Sequence, residues 1–232
     1  MSSAELGWLA GIIEGEGCFP KGSKPCGRLR VAMTDRDIIE RLRVVTGLGV
    51  IHDRGRRHAH WKQVWDWTVL RRENMCAIAE ALAPLLLQRR REQMAFIFRS
   101  AGTSMPPPAS LVYGEPDAWG WVAGLIEGEG WIGPAPGSPR QALSVSVEST
   151  DADVVERLRE LTGVGSIHGV ARVRSERERP TWSWRVSNRR DTCHVLEAIH
   201  PLLGERRRAR ADHALSVGAV SERRAAVLTR NA

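Results

Sequence analysis

Four glutamates in two copies of one short motif are the residues of this chain best placed to do chemistry. Trp8 to Gly17 reads WLAGIIEGEG and Trp121 to Gly130 reads WVAGLIEGEG, so that Glu14 and Glu16 recur 113 residues later as Glu127 and Glu129. Paired carboxylates can move protons or bind a hard cation, and the backbone that carries them decides which. The segment Ala4 to Glu14 has the apolar content of a helix, and Gly7, Gly11 and Gly15 recur every four residues, as do Gly120, Gly124 and Gly128. Glycine costs about 1 kcal/mol in a helix interior, so such a stripe needs a compensating gain. Residues at i, i+4 and i+8 share one face, where bare backbones can approach more closely than ordinary helices do. The spacing predicts that the first motif helix packs on the second across a pseudo-two-fold axis. A glycine-rich phosphate loop fits poorly, because the intervening residues are Trp, Leu, Ala and Ile rather than turn formers.

The pairs Gly15 and Gly17, and Gly128 and Gly130, then end the two helices and leave Glu16 and Glu129 at or beyond their C-termini. There the free carbonyls and the negative end of each helix dipole disfavour a carboxylate. A divalent cation relieves the conflict, since Mg²⁺ prefers carboxylate and carbonyl oxygens and completes its shell with water and phosphate. In a basic protein this points to a phosphodiesterase centre. The competing reading is solvated acids or helix-terminal salt bridges.

The elements that must position these acids are themselves duplicated. TDRDIIERLRVVTGLGVIH from Thr34 matches TDADVVERLRELTGVGSIH from Thr150, and Trp65 to Arg91 matches Trp182 to Arg208. The expected organisation is a first repeat over 1–99, a linker over 100–117 with three consecutive prolines, a second repeat over 118–218 and a tail over 219–232. Alternation in Arg28 to Met33, Trp65 to Val69, Ser144 to Glu148 and Trp182 to Ser187 predicts antiparallel sheets with one buried and one polar face. Their tryptophans are expected in the core. Ile38, Ile39, Leu42 and Val45, matched by Val154, Val155, Leu158 and Leu161, have helix-face spacing. Thr34 and Thr150 are the expected N-caps, with Gly47 and Gly163 closing these helices. Each half reads helix, strand pair, helix, strand pair, helix, helix.

Charge identifies the partner. At 232 residues, net charge +7 and pI near 10.0, the chain suits a polyanion, because phosphate contacts release condensed counterions. Only Lys21, Lys24 and Lys62 are lysines. The excess of arginine reads as bidentate recognition of guanine and phosphate or, equally, as the mark of a GC-rich gene. No basic amphipathic helix favours a membrane surface, and no apolar run of about 18 residues could span one. Cys76 and Cys193 are repeat-equivalent and Cys18 and Cys26 are not; without metal-ligand spacing, all four are expected to be buried free thiols.

These motifs resemble those of single-chain, two-repeat LAGLIDADG homing endonucleases. Leu9 to Gly17 and Val122 to Gly130 match the family motif, with Glu in place of Asp at both acidic positions. The TD-initiated helix ending in GLG or GVG, the WxWxV strand and the PLL segment followed by arginines also match. The resemblance implies an α+β fold of tandem αββαββα repeats with pseudo-two-fold symmetry, whose two antiparallel sheets form a DNA-binding saddle. It implies that Glu16 and Glu129 are the catalytic metal ligands, supported by the carbonyls of Gly15 and Gly128, with Mg²⁺ as cofactor and Mn²⁺ or Ca²⁺ able to substitute in binding. Arg89 and Arg206 take the place of the family's basic residue, usually Lys. Glu14 and Glu127 are expected to be structural, and Arg90, Arg91, Arg207 and Arg208 to form a solvated or phosphate-facing patch.

The implied activity is Mg²⁺-dependent hydrolysis of double-stranded DNA at a long asymmetric site, with staggered 3′ overhangs, by a monomer. Arg28, Arg30, His52, Arg54, Arg56 and Lys62 in the first repeat, and Gln141, Ser144, Ser146, Arg172, Arg174 and Arg185 in the second, are the candidate DNA contacts. The alternative is a non-cleaving nucleic-acid-binding protein of the same fold, an intron RNA maturase or a DNA-binding regulator. A purely structural duplication is opposed by the pI. An intracellular, cytoplasmic setting is expected, in a GC-rich bacterium or phage rather than an AT-rich organelle.

Overall fold

The computed structural model describes residues 1–20, 27–56, 58–134, 143–170 and 179–216. The chain divides into two compact units, Met1–Glu129 and Gly130–Ala232. The first contains α1 (Ser3–Glu16), β1 (Leu29–Met33), α2 (Arg36–Thr46), β2 (Val50–Gly55), β3 (Val64–Val69), α3 (Arg72–Leu82), α4 (Gln88–Ala101) and α5 (Pro116–Glu129). The second contains β4 (Gly130–Pro134), β5 (Leu143–Ser149), α6 (Ala152–Thr162), β6 (Ser166–Val170), β7 (Thr181–Val186) and α7 (Arg189–Ile199). A 3₁₀ turn over His200–Leu202 follows, and then α8, helical over 205–216. The architecture is α+β with two antiparallel sheets, ordered β1-β3-β2 and β4-β5-β7-β6. Among the described residues no helix is long and apolar enough to cross a membrane.

The second motif helix belongs with the first. A Cβ added to Gly7 would come closer than 3.0 Å to the Asp117 carbonyl oxygen, one on Gly11 to that of Trp121, one on Gly120 to that of Ala4, and one on Gly124 to that of Trp8. The four encounters are reciprocal, so α1 and α5 meet backbone to backbone about a local two-fold axis. Trp8, Leu9, Ile12, Ile13, Trp121, Val122, Leu125 and Ile126 are all sealed from solvent around that seam. Serine at the N-cap of α1 completes a capping box with Glu5, whose carboxyl is held below its usual range mainly by the Ser2 backbone hydrogen bond.

Both sheets are anchored in the same way. Gly47 and Gly163 close α2 and α6 in the left-handed conformation, and Gly49 and Gly165 follow, also at positive φ. The Trp67 Nε1 donates to the Leu48 carbonyl at 2.9 Å and the Trp184 Nε1 to that of Val164 at 3.0 Å, each across its GxG turn. Both indoles are fully buried, with their one polar atom satisfied. Three expectations are corrected here. The N-caps of α2 and α6 are Asp35 and Asp151 rather than Thr34 and Thr150, and neither uses a side-chain cap bond. In the first repeat the described residues after the motif form a bridge between Cys18 and Arg30 rather than a named strand, whereas the second repeat has the full β4. Cys18 is exposed and Cys76 and Cys193 are half-buried rather than buried, while Cys26 lies outside the described residues.

Helix propensity alone would have Gly11→Ala stabilise the chain by about 1 kcal/mol. The seam requires the opposite. Urea unfolding should show a loss of about 1–3 kcal/mol as the α1 and α5 backbones are forced apart.

Candidate metal centre and nucleic-acid interface

Glu16 and Glu129 are the last residues of α1 and α5, and the glycine seam carries them together. The Glu129 Cγ lies 3.0 Å from where a Cβ of Gly15 would stand, and the Glu16 Cγ lies 2.9 Å from that of Gly128. Each acidic side chain therefore crosses the bare backbone of the opposite helix. Glu16 is half-buried and Glu129 exposed. Gly17 terminates α1 in an extended rather than a left-handed conformation, and its N–H reaches the Ile13 carbonyl at 3.0 Å. What requires glycine there is crowding, since a Cβ would meet Ile13.

Glu14 and Glu127, two residues earlier, are buried. The Glu14 Oε2 accepts from the Leu87 N–H at 2.8 Å, which places a carboxylate at the N-cap of α4, where the helix dipole favours it. Arg90 completes this joint. Its Nε donates to the Glu14 carbonyl at 2.9 Å, its Nη2 to the Gly15 carbonyl at 2.7 Å and its Nη1 to Gln93 Oε1 at 2.9 Å.

The expected solvated arginine patch is corrected for Arg90 and Arg207, whereas Arg208 is exposed and Arg91 half-buried. Arg90 and Arg207 are each only 6% exposed. Arg91 donates to the carbonyls of Ala83 and Pro106, and Arg208 to that of Leu203 at 2.7 Å. Arg90, Arg91 and Arg208 thus satisfy main-chain carbonyls, those of Glu14, Gly15, Ala83 and Leu203 standing at element ends. Their signal was positional: they stand in the first turn of the helix after the PLL segment, where a helix end must be met. Arg89 and Arg206 are the second residues of α4 and α8, and both are half-buried.

As a donor set, two carboxylates beside two helix C-termini suit a hard divalent cation. Among the described residues no cluster of three or more His, Cys, Asp or Glu adds to them, so backbone, water and substrate oxygens would have to complete the shell. Gly128 lies in the last turn of α5, where helix carbonyls have no intrahelical partner. The Gly15 carbonyl already accepts from Arg90, and a cation would share that oxygen with a guanidinium.

The polar face of the first sheet holds a charged cluster that sequence reading missed. Asp66, on the central strand β3, is fully buried. Its Oδ2 accepts from Arg30 Nε at 2.8 Å and its Oδ1 from Arg30 Nη2 at 2.9 Å, while Arg54 Nε donates to Oδ2 as well. Burial pushes the Asp66 carboxyl up, but the hydrogen bonds and charges of the two guanidiniums outweigh it, and the group ends below its ordinary range. The Arg30 guanidinium is raised by the same bond. Asp66 reads as one polar letter between Trp65 and Trp67, and only the register, which sets it opposite Ala32 and His52, reveals its partners. Arg28, His52, Arg56 and Lys62 are exposed in this unit.

The second sheet differs. Ser144 and Ser146, expected at the polar surface, are buried: Ser146 lies between Trp131 and Arg185 in the cross-strand register, and larger neighbours shade small side chains on a central strand. Ser144 Oγ donates to the Gly133 carbonyl at 3.4 Å. Arg185 is half-buried, and Gln141, Arg172 and Arg174 lie outside the described residues.

Residues 3–82 match the LAGLIDADG-like domain. Beyond that domain, the chain has the fold of the single-chain LAGLIDADG homing endonucleases. It is similar to I-GzeII in complex with its DNA target, with a TM-score of 0.65 at 11% identity over 95% of this chain and 91% of that one. It is similar to I-SmaMI bound to uncleaved DNA target in the presence of calcium, with a TM-score of 0.58 at 15% identity over 94% and 92%. For I-SmaMI bound to cleaved DNA the TM-score is 0.55 at 15% identity over 94% and 90%. No curated protein matches by sequence.

The Asp66 clamp has a pH signature. Its folded pKa lies below the ordinary 3.8, so its contribution is complete above that value and is lost as pH falls through the folded pKa. Asp66→Asn should cost about 1–3 kcal/mol in urea unfolding at pH 7. The gap to the parent should shrink below about pH 4, and a gap undiminished at pH 3 would contradict the linkage.

Proposed function

We propose that this protein is a site-specific double-strand DNA endonuclease of the homing type, cutting a long asymmetric target by Mg²⁺-dependent phosphodiester hydrolysis. The observation that carries the proposal is the crossing of Glu16 and Glu129 over Gly128 and Gly15 at the closed ends of α1 and α5. The arrangement offers one acid from each repeat, and hence one cut in each strand, staggered to leave 3′ overhangs.

Glu16 and Glu129 would hold the metal, with the Gly128 carbonyl and the shared Gly15 carbonyl beside them. Bound there, the ion supplies Lewis acidity and a water of lowered pKa. Glu14 and Arg90 keep the end of α1 in place, so that Glu16 need not reorganise during the reaction. Arg89 and Arg206 remain cationic throughout, so their role is to stabilise phosphate charge rather than to take a proton. Net charge +7 and the arginines of the first sheet support duplex DNA as the partner. The two sheets carry different polar residues, which supports an asymmetric target and a protein acting as a monomer. The guanidinium on the Gly15 carbonyl is the one observation that favours the alternative, a non-cleaving nucleic-acid-binding protein of the same fold.

Selection of cut sites from a randomised duplex library with Mg²⁺ decides between them. The parent should cut a defined site, and the Glu16→Gln, Glu129→Gln double variant should bind it while cutting about 10³-fold more slowly or worse. Tight binding by the parent without cleavage would establish the alternative. Undiminished cleavage by the double variant would remove the two acids from the chemistry.

A further inference from the structure

The first sheet carries a device that has no counterpart among the described residues of the second. Asp66 is 0% exposed, whereas the side chains of Arg30 and Arg54 that cover it are 36% and 52% exposed. A polyanion approaching this face would meet two guanidiniums and not the carboxylate beneath them. The acid also dictates which edge of Arg30 is spent. The bonds from Nε and Nη2 use the side-on edge, which leaves the Nη1 N–H groups and one Nη2 N–H. Those at the end of the guanidinium form the parallel pair that matches two in-line acceptors, such as O6 and N7 of guanine. Arg54 spends only its Nε on the same carboxylate.

The backbone is shaped for this cluster. Arg54 stands at a register shift in β2, where Asp53 is paired with Trp65 and Gly55 with Val64, so the bulge re-aims its side chain. Asp53 supports the bulge: its Oδ1 accepts from the Gly55 N–H at 2.7 Å and its Oδ2 from Gln63 Nε2 at 2.6 Å. Across the sheet, Ala32 opposite Asp66 leaves room for the Arg30 side chain to fold over the acid. In the second sheet the equivalent position is Ser183, opposite Glu148, and no acid clamps Arg185 among the described residues.

Resting on the proposed DNA-binding reading, we infer that Asp66 is a specificity-determining positioning residue, which holds Arg30 with its end-on fork presented to read one guanine in the half-site bound by the first repeat. Asp66 acts through Arg30 and does not itself touch the DNA. The same fork could grip two phosphate oxygens, and that source predicts a different result.

The test is site selection with the full-length protein, followed by binding titrations against the selected duplex, its single-base variants and a scrambled duplex over a range of salt. The parent should require guanine at one position of one half-site. Asp66→Asn and Arg30→Lys should each relax that requirement about ten-fold or more, leaving discrimination at the other positions intact. Arg30→Lys keeps the positive charge, so it carries the test if Asp66→Asn unfolds in a parallel thermal melt. A uniform loss across all duplexes in Arg30→Ala, with the salt slope reduced by about one and no single base position relaxed, would assign the fork to phosphate and overturn the inference. Full discrimination in both variants would overturn it too, while leaving DNA recognition standing. A parent that selects no sequence would bring down the proposed function, and this inference with it.

Discussion

Everything in the first unit depends on backbone-to-backbone contact between α1 and α5. Helices with side chains at their interface stand about 8–10 Å apart. Glycine at four reciprocal positions removes that spacer. The cost in helix propensity is offset by burial of the large residues on either side of the stripe, including Trp8 and Trp121. Once the axes are that close, the end of each helix has nowhere to go but beside the other, and whatever side chain ends it is delivered to the axis. Glu16 and Glu129 are neighbours because of Gly7, Gly11, Gly120 and Gly124.

Convergence of two negative helix ends and two carboxylates is electrostatically costly, and the surrounding structure divides the cost. Glu14 turns away and spends its charge at the start of α4, which is electropositive. Arg90 brings a buried positive charge to the carbonyls of Glu14 and Gly15. Glu16 and Glu129 are left half-buried and exposed respectively, where solvent or a cation can reach them. Two glutamates of identical type, two positions apart, thus have opposite environments: one is consumed by the fold and the other is presented by it.

The sheet of the first unit repeats this logic with the signs reversed. There a buried carboxylate organises partly exposed arginines, and the low polarity around Asp66 strengthens its bonds to Arg30 and Arg54. Arginine held in this way loses less conformational freedom on meeting a ligand than a free surface arginine would. The GxG turns and their tryptophans serve the same end more remotely. By tying the start of β2 to β3 through the bond from Trp67 to the Leu48 carbonyl, the turn sets the register that brings Asp66 opposite Ala32 and His52.

What the sequence by itself determined is whatever is local or periodic. Duplication, the glycine stripe, the helix ends at Glu16 and Glu129, the alternating strands and the burial of Trp67 and Trp184 all follow from spacing, because a helix or strand converts spacing directly into a face; Trp65 and Trp182, expected in the core with them, are half-buried. The tertiary structure decided the pairings between distant segments, where spacing carries no information. Whether an arginine in a run of three is solvated or buried depends on which carbonyls lie opposite it, and Arg90 meets residues 76 and 75 positions away in the chain. Whether a serine on an alternating strand is exposed depends on the bulk of its cross-strand neighbours, which hides Ser146 between Trp131 and Arg185. Asp66 is the clearest case. Its role exists only once a register and a bulge in β2 bring two guanidiniums over one carboxylate, and no property of residue 66 in isolation distinguishes it from any other aspartate on a wet strand.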